Sequence, residues 1–88
     1  MNLLALLATA AALGDATRLR MMLRLGSGPV SVGQLGASVG VTSPSVTHHV
    51  RKLREAGLVV AVRQGRRTIV RRVERRWTTI IGALGGSA

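Results

Sequence analysis

Residues 2–13 are almost wholly leucine and alanine, apolar on every face, which predicts a helix that needs cover on more than one side. Gly14 ends it. Asp15 suits the N-cap of a second helix through about Leu25, with Leu19, Met22 and Leu23 as its inward face and Arg18, Arg20 and Arg24 elsewhere. G-S-G-P at 26–29 is a break. Ser31 then opens a short third helix, with Gln34 three residues on completing a capping-box pattern and Val32, Leu35 and Val39 supplying apolar spacing. Gly33 and Gly36 weaken that helix, so packing must hold it. Gly40 stops it and leads into V-T-S-P, where Thr42 or Ser43 caps a fourth helix and Pro44 falls in the first turn.

The fourth helix runs to about Ala56, with Val46, Val50 and Leu53 turned to the core and Gly57 as its C′ residue. At 100° per residue the opposite side carries Pro44, Thr47, His48 and Arg51, flanked by Ser43, Ser45 and Lys52. Short polar and basic side chains on one outward face are what a helix needs to enter a major groove. Two β-branched runs, 58–63 and 67–73, surround Gln64, Gly65 and Arg66 and predict a hairpin with arginines at and after its tip. A last helix from about Glu74 aligns Val73, Trp77, Ile80, Ile81 and Leu84 on one side. The expected class is mainly α with a small β-hairpin, in the order α-α-α-α-β-β-α.

Charge sharpens this picture. Thirteen basic residues face three acidic ones, a formal charge of +10, and twelve of the thirteen are arginine, whose planar fork suits phosphate and guanine. Ten of the basic residues lie between 51 and 88. They are interrupted by strand and turn patterns instead of lying on one amphipathic helix, which favours double-stranded DNA over a membrane surface. Ser43, Ser45, Thr47, His48, Arg51, Arg66 and Arg67 are the expected DNA-contacting residues, through base edges or adjacent phosphates. Six phosphate contacts give a log–log salt slope of about −5, which a merely solvated charge run does not. Arg71, Arg72, Arg75 and Arg76 lie further from the tip, where some face a dimer flank or neutralise Glu74.

Other chemistry is thinly supplied. The chain has no cysteine, so disulfides, thiolate metal sites and thiol redox switching are excluded. His48 and His49 diverge by 100° on a helix and cannot ligate one metal as an i, i+4 pair; His49 reads as a packing residue. Three acidic residues and no nucleophile, base and orienter set predict no enzyme and no cofactor. The apolar N-terminal run lacks a basic leader and is shorter than the roughly 20 residues a bilayer span needs, so a soluble, cytoplasmic protein is expected.

G-D-A-T-R-L-R-M-M-L-R-L at 14–25, V-T-S-P-S-V-T-H-H-V-R-K-L-R-E-A-G-L-V at 41–59 and R-Q-G-R-R at 63–67 resemble the arsenic-repressor-type (ArsR/SmtB) winged helix-turn-helix regulators. The resemblance implies one winged helix-turn-helix domain over 1–88, with the helix-turn-helix at 31–56, the wing at 58–73, and dimerisation helices at 1–13 and 74–84. It implies a homodimer, joined through Leu3, Leu4, Leu7, Trp77, Ile80, Ile81 and Leu84, that represses from an imperfect palindrome until an inducer, unidentified here, releases it. The two apolar terminal helices independently ask for such cover, since a chain of 88 residues buries only about 60–65% of its surface. Half-sites then lie roughly 10–10.5 bp apart or a multiple of that. Metal-sensing members carry cysteines before the turn or acidic and histidine ligands in the last helix. This chain has V-S-V-G-Q-L-G at 30–36 and W-T-T-I-I-G-A-L-G at 77–85, and no metal site is expected.

Overall fold

The computed structural model describes residues 3–83, apart from the side chains of residues 3, 5, 6 and 8. The expected interface roles of Leu3 and Leu84 therefore lie outside the described residues. In chain order the elements are α1 (Leu3–Leu13), α2 (Ala16–Leu25), β1 (Val30–Ser31), α3 (Val32–Val39), α4 (Ser43–Glu55), β2 (Val59–Gln64), β3 (Arg67–Arg72) and α5 (Glu74–Ala83). Among the described residues no helix is long and apolar enough to cross a membrane.

Local chemistry sets most of these boundaries. Asp15 caps α2, its Oδ1 accepting the Arg18 N–H at 3.1 Å. That bond, partly offset by desolvation, holds the Asp15 carboxyl below its usual value, with His49 and the Arg18 charge also favouring the anion. The Ser31–Gln34 capping box is complete: Ser31 Oγ accepts Gln34 N–H at 3.1 Å, and Gln34 Oε1 accepts Ser31 N–H at 3.0 Å. Thr42 holds the N-cap position of α4 by its extended backbone, but its hydroxyl makes no capping bond and approaches Ser45 Oγ at 3.4 Å instead. Ser43 is thus the first helical residue.

The inward face of α2 differs from the expected one. Met21, Met22 and Leu25 are buried, whereas Leu19 is exposed and Leu23 is 58% exposed. Apolar residues cover roughly 200° of this helix at 100° per residue, and the neighbours bury only one end of that arc. Arg18 falls in the buried part, between Met22 and Leu25, and its side chain keeps only 16% exposure. Its Nε is buried without a hydrogen-bond partner among the described residues.

β1 is an addition to the expected pattern. Two residues carry no readable period, yet Val30 pairs with Val70 and Ser31 with Ile69, which makes an antiparallel sheet of order β1-β3-β2. The hairpin pairs Val59 with Arg72 through Gln64 with Arg67. Helices and sheet close over Leu35, Val46, Val50, Leu53, Leu58, Val70 and Ile80. The crossing of α3 and α4 is tight because Gly36 is buried against Val46; a Cβ on Gly36 would stand 2.5 Å from Val46 Cγ2. Ile80, one of the residues expected at a dimer contact, is 1% exposed within the single chain and belongs to its core. Leu4, at 77% exposure, and Leu7 do stand out to solvent, while Trp77 and Ile81 are half-buried.

Candidate nucleic-acid interface

α4 presents its polar side outward because Val46, Val50 and Leu53 anchor the opposite side. Ser43, Thr47, His48 and Arg51 are exposed and Ser45 is half-buried. The Thr47 hydroxyl donates to the Ser43 carbonyl one turn back at 3.1 Å, leaving its oxygen as an outward acceptor. Arg51 Nη2 lies 3.3 Å from His48 Nδ1. A guanidinium can only donate, so the contact makes Nδ1 the accepting nitrogen and leaves the ring N–H on Nε2.

The wing turns through Gly65 and Arg66, between the paired residues Gln64 and Arg67. Gly65 has φ +62° and Arg66 is not in the left-handed region, the sign pattern of a type II′ hairpin turn, which favours glycine at its first position. Arg66 stands exposed at the tip. Arg63 folds back, donating from Nε to the Gly65 carbonyl at 2.9 Å. Arg67 is exposed too, but its Nη2 donates to Gln34 Oε1 at 3.1 Å across to α3.

Between α3, α4 and the wing runs a groove of about 610 Å³. Arg51, Arg54, Arg63, Arg66 and Arg67 line it, with Thr47 and Thr68, and among its lining residues none is acidic. Of the expected contact residues the groove gathers Thr47, Arg51, Arg66 and Arg67; Ser43, Ser45 and His48 lie on α4 outside its lining. Arg54 and Arg63 line the groove as well, though neither is among the expected contact residues. The helical period alone puts Arg54 one turn from Arg51 on the same face, whereas the fold-back that aims Arg63 depends on the turn geometry.

The remaining arginines divide. Arg71 and Arg75 are exposed and Arg76 is half-buried. Arg72 is withdrawn from any ligand: Nε and Nη2 hold both Glu74 oxygens at 2.9 Å, Nη1 donates to the Met22 carbonyl at 2.9 Å, and the guanidinium lies 4.8 Å over the Trp77 ring. The Arg72 hydrogen bonds, against a smaller desolvation cost, hold the Glu74 carboxyl below its usual value.

A family model described as a helix-turn-helix domain matches residues 13–62, more than half of the chain. The structure overlays that of an ArsR family transcriptional regulator with a TM-score of 0.83 at 26% identity, over 98% of this chain and 89% of that one. The chain belongs to the ArsR-type winged helix-turn-helix family. Among curated ArsR-type relatives, the HTH-type transcriptional regulator CmtR of Mycobacterium tuberculosis is 46% identical over 55 residues, 62% of this chain and 47% of that protein. KmtR, from the same organism, is 44% identical over 62 residues, 70% of this chain and 47% of that protein. The chain spans about half the length of these curated relatives. The homodimeric winged helix-turn-helix domain of Mb0332 from Mycobacterium bovis shares the fold at a TM-score of 0.81 and 22% identity, over 91% of this chain and 75% of that one. Both of these relatives are named as transcriptional regulators.

Proposed function

We propose that this chain is a sequence-specific, DNA-binding transcriptional repressor that acts in the cytoplasm as a homodimer on a palindromic operator. The observation that carries the reading is the acid-free groove with five arginines between α4 and the wing. Such a groove attracts a polyanion, and its position lets α4 enter a major groove while the wing follows the flanking backbone. Ser43, Ser45, Thr47, His48 and Arg51 face bases or nearby phosphates, and Arg54, Arg63 and Arg66 serve the phosphates. Pairing of two chains through α1 and α5 is supported by the exposed Leu4 and Leu7. An effector acting through metal at the usual family positions is not part of this reading, because residues 30–36 and 77–85 contain no cysteine, histidine, aspartate or glutamate.

Fluorescence anisotropy on a palindromic duplex taken from the promoter of the chain's own gene, and on its scrambled counterpart, tests this across a salt series. Tighter binding to the palindrome at each salt concentration is the expected result. Equal affinity for both duplexes would reduce the protein to a non-specific architectural binder.

A further inference from the structure

The geometry assigns Arg67 and Gln34 as a latch that sets the angle of the wing against the helix-turn-helix, which makes Arg67 a positioning residue and not a DNA contact. The inference rests on the proposed DNA-binding role only for its functional consequence. The latch itself is a property of the free protein.

The wing is tied to the rest of the chain on one side by very little. β1 is two residues long, and its ladder with β3 ends at the pair Ser31–Ile69. Beyond Ile69 toward the tip, Thr68 and Arg67 pair only with β2, whose far side has no strand partner among the described residues. A two-stranded ribbon held only at its base twists and swings readily. The next tie is the Arg67 Nη2 to Gln34 Oε1 bond at 3.1 Å, spanning 33 positions in sequence.

Gln34 is a firm anchor. Its Oε1 already accepts the Ser31 N–H at 3.0 Å and has the Ser31 hydroxyl at 3.1 Å, so the amide is oriented by the capping box before Arg67 arrives. An amide oxygen offers two lone pairs. The Ser31 N–H, the Ser31 hydroxyl and the Arg67 guanidinium share them as donors, the charged one most strongly, while the Ser31 oxygen in turn accepts Gln34 N–H at 3.1 Å. One oxygen thus joins the N-cap of α3, the end of β1 and the first residue of β3. Arg66, one residue away at the tip, and Arg63, folded over the turn, line the groove with Arg51 and Arg54 and move with the wing whose angle this contact sets.

Gln34→Met, Arg67→Met and the double variant test the latch. In the DNA-free protein, amide hydrogen exchange at residues 65–69 should accelerate about threefold or more in each single variant, and no further in the double variant. On duplex DNA both single variants should weaken binding by a similar factor, on the order of threefold, with an unchanged salt slope. A direct phosphate contact by Arg67 predicts otherwise: Arg67→Met alone would flatten the slope by about 0.9 and Gln34→Met would not affect binding. That pattern, or additive exchange rates, overturns the latch. Gln34→Glu guards against loss of the helix cap, since it keeps both cap and acceptor; exchange should stay at the wild-type rate and accelerate on adding Arg67→Met. If the wild-type protein bound no DNA while the exchange coupling persisted, the DNA reading would fail and the latch would stand.

Discussion

Arg72 and Glu74 form a two-point ion pair, two bonds of 2.9 Å, at the junction where β3 becomes α5. The same guanidinium reaches the Met22 carbonyl near the C-terminal end of α2, so one side chain fastens wing, second helix and last helix together. Arg72→Ala should remove the donor to that carbonyl and the stacking on Trp77, at a cost on the order of 1–2 kcal/mol. Urea denaturation followed by Trp77 fluorescence measures the loss; an unchanged midpoint would mean that the junction holds without Arg72.

Stability should fall in acid for a reason that can be assigned. The carboxyls of Asp15 and Glu74 are held below their usual values in the folded chain, so each stabilises the fold above its unfolded value of about 4. That contribution is lost as pH falls through the lower folded values. Melting temperatures should be level between about pH 7 and 5 and decline below about 4, and Asp15→Asn with Glu74→Gln should flatten the acid limb. Thermal scans at stepped pH decide it.

Two glycines of α3 should respond oppositely to alanine. At Gly36 a Cβ meets Val46 Cγ2 at 2.5 Å, so Gly36→Ala must push α3 and α4 apart at a cost of about 1–3 kcal/mol. At Gly33 a Cβ meets nothing within 4 Å, and Gly33→Ala should stabilise by about 0.5–1 kcal/mol. Chemical denaturation of the pair gives both signs in one experiment.

Charge removal in the groove should be visible in salt dependence. Arg54→Ala and Arg66→Ala should each flatten the slope of log affinity against log salt by about 0.9, alike on palindromic and scrambled duplexes. Arg51→Ala, on the outward face of α4, should instead cost about 1–3 kcal/mol mainly on the palindrome.

Self-association should depend on the exposed leucines of α1. Leu4→Glu with Leu7→Glu replaces two solvent-facing apolar side chains, leaving the described core untouched. Sedimentation equilibrium should show monomers for this variant and dimers for the parent; a dimer that survives both changes would move the contact elsewhere.

The chain's local instructions were readable without a structure, because their energies act within one turn. Asp15 bonds to Arg18, Ser31 to Gln34, and Gly65 supplies the backbone conformation that its hairpin turn demands. The outward face of α4 was legible for the same reason, since Val46, Val50 and Leu53 repeat with the helical period. Where the long arginines end depends instead on packing between distant segments. Arg18 lies in the inward arc of α2, Arg67 meets Gln34 33 positions away, and Arg72 meets Met22 50 positions away. A flexible cationic side chain has no periodic signature, and its partner is whichever oxygen the packed elements bring within reach. A basic helix and a basic wing thus follow from local pattern, and packing sets which of the arginines meet a partner within the chain.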